Sequence, residues 1–144
     1  MMIYGSCLCE QIKFSTLNSP QRFYQCHCSL CRKQTGTQAN AAFIVNQPDF
    51  NWLTGMEYIS TYKKPSGFTS CFCSNCGSPV PNQIGSSHFI WIPIGLLDNP
   101  PENLAPALHL HMKSKAVWDS VNDSIPQFET MPTLDEIANY LHDL

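Results

Sequence analysis

Eight cysteines in a chain of 144 residues fall into three groups, Cys7-x-Cys9, Cys26-x-Cys28-x-x-Cys31 and Cys71-x-Cys73-x-x-Cys76. Thiolates separated by one or two residues can turn toward a single ion. A disulfide would instead have to join distant groups or strain a short loop. The spacing therefore reads as zinc-organised. Zinc prefers four ligands in a tetrahedron, with Zn–S near ~2.3 Å. Cys7 and Cys9 supply two of them, and Cys73-Ser74-Asn75-Cys76-Gly77 has the C-x-x-C-G form of a zinc knuckle that can supply the other two. Such a site would tie the start of the chain to its middle. Since the unfolded chain has no preformed site, its binding energy would contribute directly to folding.

The central group, Cys26-His27-Cys28-Ser29-Leu30-Cys31, then stands alone with three thiols. Three protein ligands and a fourth position left for water or substrate distinguish catalytic from structural zinc. His27 lies between two residues that both face the ion, so strand periodicity turns it away, and a surface hydrogen bond is its expected role. Cys71 repeats the central spacing when read with Cys73 and Cys76. It is either a fourth ligand somewhere or a free cysteine in the core. If it closed the central site, the catalytic reading would weaken greatly.

These groups need a scaffold, and most of the chain reads as short strands between turn residues. Apolar and polar residues alternate over 11–15, 57–63 and 108–112. Arg22-Phe23-Tyr24-Gln25 leads into the central cysteines, and 41–45, 68–73 and 89–94 are apolar or β-branched runs. Eleven prolines and seven glycines punctuate them. A short helix is expected from Ser29 past Cys31 toward Gly36. A second should follow the capping box Thr133-Leu134-Asp135-Glu136, with Leu134, Ile137, Ala138, Leu141 and Leu144 on one face that packs on the sheet. The expected architecture is mainly β, a single domain over 1–144 of short antiparallel strands with these two helices.

Composition narrows the function classes. The formal net charge is −3 with neutral thiols, and two thiolate-bound zincs would take it to about −6. The eight Lys and Arg are scattered, in pairs at most. Nucleic-acid binding draws most of its affinity from a concentrated basic face, so no nucleic-acid partner is expected. The longest apolar stretch, 89–97, falls far short of the ~20 residues that cross a bilayer, so no membrane partner is expected either. The first residues lack the basic and apolar regions of a signal peptide, which makes the reducing cytoplasm the expected location.

Taken in order with their flanks, Gly5-Ser6-Cys7-x-Cys9, Cys26-His27-Cys28-x-x-Cys31-Arg32-Lys33 with Gly36-Thr37, and Phe72-Cys73-x-x-Cys76-Gly77-Ser78 resemble the glutathione-dependent formaldehyde-activating enzyme / centromere protein V family. The segment from Leu108-His109-Leu110-His111-Met112 through Trp118 to Ile125-Pro126-Gln127-Phe128 is similar to that family's C-terminal part. The resemblance implies a zinc-bearing β-tent and carbon–sulfur bond chemistry. It also implies a structural zinc on Cys7, Cys9, Cys73 and Cys76, and a catalytic zinc on Cys26, Cys28 and Cys31. Glu10 stands where the family often has glycine, and Cys71 lies outside the usual pattern.

The resulting expectation is a carbon–sulfur lyase-type enzyme with two Zn²⁺ per chain, acting on an adduct of a small-molecule thiol such as glutathione with formaldehyde or another small aldehyde. Arg32 and Lys33 follow the last central cysteine and could hold a carboxylate of the thiol, while His109 and His111 are expected on a polar outer strand face. Two competitors belong to other classes. A non-catalytic zinc-stabilised protein-binding module requires a closed central site, and a thiol–disulfide oxidoreductase would leave the additional cysteines without a purpose.

Overall fold

A computed structural model describes residues 1–142; Leu144, placed above on the C-terminal helical face, lies outside the described residues. Ten short strands form three small sheets with two helices. β1 (Ile3–Ser6), β2 (Lys13–Thr16) and β5 (Phe50–Thr54) make a three-stranded antiparallel sheet in the order β1-β2-β5. β6 (Ile59–Lys63) and β7 (Thr69–Cys73) form a hairpin. The largest sheet runs β10-β3-β4-β9-β8, built from β3 (Arg22–Cys26), β4 (Asn40–Asn46), β8 (Asn82–Gln83), β9 (Phe89–Pro93) and β10 (Ala105–Leu110).

The large sheet carries the main core. β4 and β9 read as near-continuous apolar runs because both of their faces are covered. Phe43, Ile44 and Ile92 are almost wholly buried. The helix α2 (Leu134–His142) closes this core by burying Ile137 and Leu141 against β3, β4 and β10. Thr133 starts it as expected: its hydroxyl accepts from the Glu136 N–H at 3.2 Å, and the Glu136 carboxylate accepts from that hydroxyl. A smaller core of Cys7, Ile12, Cys73 and Val80 sits between the other two sheets.

β10 departs from the expected alternation in two ways. It pairs with β3 in parallel, whereas the other ladders are antiparallel. Its residues Leu108, His109 and Leu110 are also all buried, which corrects the outward placement of His109. The cause is residues 125–128, which lie against the strand: His109 N–H donates to the Pro126 carbonyl, and Phe128 N–H to the His109 carbonyl, both at 2.9 Å. The strand stops at Leu110 rather than Met112, since His111 takes a left-handed conformation with φ 55°. The strands at β1, β5 and β8 carry no clear alternation in sequence and were not anticipated.

Candidate functional site

The first sulfur cluster is assembled from two distant segments. Cys7 and Cys9 occupy the β1–β2 turn, where Cys7 N–H donates to the Ile12 carbonyl at 3.1 Å and Ile12 N–H returns a bond to the Cys7 sulfur at 3.4 Å. Glu10 closes this turn in the left-handed region at φ 66°, the conformation that glycine adopts most freely. Cys73 ends β7, and the knuckle turn after it depends on Gly77 at φ 80°, whose N–H donates to the Cys73 carbonyl at 2.7 Å. The four sulfurs of Cys7, Cys9, Cys73 and Cys76 lie within 4.8 Å of one another.

Two separations test whether this set suits zinc. Cys7 to Cys9 is 3.6 Å and Cys9 to Cys73 is 3.8 Å. The edge of a tetrahedron with 2.3 Å metal–sulfur bonds is about 3.8 Å, so the donors fit. Without a cation the thiols are at odds electrostatically. Burial pushes Cys7 up to about 11, whereas a hydrogen bond from Asn75 draws Cys9 down.

The second cluster comes from one continuous stretch at the end of β3 and the start of the helix α1 (Ser29–Thr35). Cys26 leaves β3 opposite Asn40 of β4. Cys28 caps α1, its sulfur accepting from Cys31 N–H at 3.3 Å, and Cys31 lies inside the first turn of the helix. Gly36, left-handed at φ 72°, ends that helix where the sequence placed the stop. The three sulfurs lie within 4.8 Å of one another, and among the described residues no other His, Cys, Asp or Glu completes the group.

The central thiols share a single ionisation. Hydrogen bonds from Cys26 and Cys31 draw Cys28 down to about 2, aided by the nearby His111. The bond with Cys28 pushes Cys26 up to about 12, and bonds with Cys26 and Cys28 hold the Cys31 thiol well above its ordinary range. A cation among the three would favour the thiolate form of each, so this donor set also fits a metal.

Beside these sulfurs is a cavity of about 330 Å³, into which Cys26, Cys28 and Cys31 all face. His111 stands on its wall without joining the sulfur group. A neighbouring groove of about 280 Å³ contains Lys33 and Lys64, and shares Leu30, Gln34 and Phe68 with the cavity. Arg32 lines neither space, and its Nε is buried without a hydrogen-bond partner.

Cys71 belongs with neither set of converging sulfurs. It is half-buried against the smaller core, with its sulfur 3.4 Å from the Thr61 hydroxyl. Closure of the central group through Cys71, which the binding-module alternative invoked, is therefore not what the fold provides.

His27 does point away from the sulfurs, but its expected surface position is corrected: it is 1% exposed. Its Nδ1 donates to the Asp119 carboxylate at 2.6 Å, and its Nε2 lies 2.9 Å from His109 Nδ1. His109 Nε2 in turn donates to Asp123 at 3.0 Å. With both outer N–H groups committed to carboxylates, the inner contact is a hydrogen bond only if the two rings share three N–H protons. This relay clamps the segment after β10 to the back of the central cysteine loop. Sequence reading missed it because His109 looked like one member of an alternating surface pair, and nothing local links Asp119 or Asp123 to His27.

Comparison with known proteins agrees with this architecture. A crystal structure of a Rhodobacter sphaeroides protein superposes with a TM-score of 0.57 at 19% identity, covering 72% of this chain and 99% of that one, which shows the shared fold. A Halomonas elongata protein that carries the provisional name of a glutathione-dependent formaldehyde-activating enzyme is 31% identical over 138 residues, covering 82% of this chain and 80% of its own. Residues 2–114 match the family described as glutathione-dependent formaldehyde-activating enzyme, a span that includes both sulfur clusters and ends before Asp119. The chain therefore belongs to the glutathione-dependent formaldehyde-activating enzyme family.

Proposed function

We propose that this chain is a zinc-dependent carbon–sulfur lyase-type enzyme that makes or breaks the bond between a thiol and a carbonyl carbon. The observation that carries the reading is the central group: three converging sulfurs, no fourth protein ligand among the described residues, and a cavity on the remaining side. Cys7, Cys9, Cys73 and Cys76 would hold a structural zinc, and Cys26, Cys28 and Cys31 a second one. A zinc with an open position supplies Lewis acidity and favours the thiolate form of a nearby thiol. The thiol partner is glutathione or a similar small anionic thiol, and its carboxylate is taken by Lys33 in the neighbouring groove, which Arg32 does not reach.

In the forward direction the substrate sulfur bonds to the carbonyl carbon, the C=O π pair moves to oxygen, and the thiol proton ends on that oxygen. The product is an S-hydroxyalkyl adduct of the S-hydroxymethylglutathione type. His111 is the ionisable nitrogen base on the cavity wall. Its imidazole is placed to take the thiol proton and return it to the oxygen. Largely apolar walls would orient the two reactants, and such orientation supplies much of the rate. Cysteine groups at metal-binding spacing suit a reducing compartment such as the cytoplasm, where thiols stay available to a metal.

Metal analysis with X-ray absorption, with and without glutathione, tests this reading. Two zincs per chain, one gaining a sulfur ligand when glutathione is added, is the expected result. Two closed four-sulfur sites that ignore glutathione would sink it.

A further inference from the structure

The cavity beside the central cysteines is larger and more apolar than a one-carbon carbonyl requires. Its volume of about 330 Å³ has room for on the order of ten water-sized groups at about 30 Å³ each. Formaldehyde would fill only one or two of these places. The walls include Leu30, Phe68, Ile84, Trp91, Leu110 and Met131, together with neutral amides. Among the described residues no Lys, Arg, Asp or Glu lines it.

A cavity without a lysine or arginine among its described lining residues is a poor place for the carboxylate end of a thiol, because burying an unpaired carboxylate is strongly unfavourable. The neighbouring groove offers what the cavity lacks. Lys33 and Lys64 line it, neither forms an ion pair with a carboxylate among the described residues, and no acidic residue shares the groove. Since the two spaces meet across Leu30, Gln34 and Phe68, a thiol can lie with its tail in the groove and its sulfur toward Cys26, Cys28 and Cys31. The apolar volume is then left for whatever the carbonyl carbon carries.

We propose that the carbonyl partner is an aliphatic or aromatic aldehyde with a substituent of roughly five to eight carbons, seated between Phe68, Ile84 and Trp91. This inference rests on reading the site as one of thiol–carbonyl addition, and it narrows the substrate class within that reading. Each methylene removed from water favours binding, so selectivity should grow with chain length until the cavity is full.

The test uses the metal-loaded protein and two stable probes, S-methylglutathione and S-hexylglutathione, with binding measured by calorimetry. The hexyl thioether should bind at least about tenfold tighter. Ile84→Trp, which adds bulk to the cavity wall, should remove most of that gain; Ile84→Ala provides the same comparison with added space, shifting the preference to longer chains. In parallel, the acceleration of adduct formation over the uncatalysed reaction should be about tenfold greater for glutathione with hexanal or benzaldehyde than with formaldehyde. Equal binding of the two thioethers, or a clear preference for formaldehyde, overturns the inference and leaves the enzyme reading standing. If no aldehyde is accelerated and Cys28→Ser behaves like the unaltered protein, the enzyme reading itself fails and this inference falls with it.

Discussion

Two sulfur clusters in one small protein are built in opposite ways. Cys7, Cys9, Cys73 and Cys76 come from distant segments, and their sulfurs meet around a small core with four donors present. Cys26, Cys28 and Cys31 come from six consecutive residues, and their sulfurs face a cavity on one side and the main core on the other. The first cluster draws two sheets together and has little hydrophobic burial to replace it. The second rests on a sheet, a helix cap and a buried His–Asp relay that hold it whether or not a fourth group is bound. The contrast teaches that short sequence spacing makes a local sulfur set whose free side the fold can give to a cavity, whereas long spacing ties distant segments together.

Exchanging one sulfur in each cluster should expose this difference most strongly. Cys73→Ser should lose one metal ion and the cooperative fold, since structural zinc is worth about 10–16 kcal/mol in small domains against a total stability of about 5–15 kcal/mol. Cys28→Ser should keep near-native circular dichroism while its activity falls by about a thousandfold or more. Metal content, thermal unfolding and adduct-formation rate on the two variants decide the matter, and equal loss of fold in both would erase the contrast.

The pH dependence of metal uptake sharpens the comparison at the central site. Cys28 is already ionised at neutral pH, whereas Cys26, pushed up to about 12, and Cys31, also raised, must each release a proton. Lower pH therefore opposes loading. Affinity should fall by about a hundredfold per pH unit between pH 8 and pH 6, the slope expected for about two protons released. Competition with a chelator of known pH behaviour measures it.

The relay should matter to stability rather than to metal content. Asp119→Ala leaves the His27 Nδ1–H buried without its acceptor, and this should destabilise the protein by about 2–4 kcal/mol in denaturant unfolding, with two metals retained. The smallest effect belongs to the fastener's own turn. Glu10→Gly relieves a left-handed backbone that carries a side-chain penalty of about 1–2 kcal/mol, partly offset by glycine's greater freedom when unfolded. A gain of about 0.5–1 kcal/mol is expected.

Much of this was legible in sequence because the informative signals are local. Cys26, Cys28 and Cys31 announce their own convergence by spacing, Gly36 announces the end of α1, and Thr133 with Glu136 announces the start of α2. The edge strands were less legible. β1 and β8 are only four and two residues long, too short to show a period. His109 misled because alternation reports one buried face, and β10 is covered on both.

By itself the sequence determined which sulfurs can share an ion, because the reach of a short loop is set by covalent geometry. It also determined the family, through motifs carried in order along the chain. Only the tertiary structure decided that Cys71 packs beside Thr61, away from the central sulfurs, and that His27 is locked to Asp119 behind them. It alone placed Lys64 and Lys33 in one groove beside a largely apolar cavity. Those are contacts between residues from 10 to 92 positions apart, and they exist only where strand pairing and core burial bring the segments together.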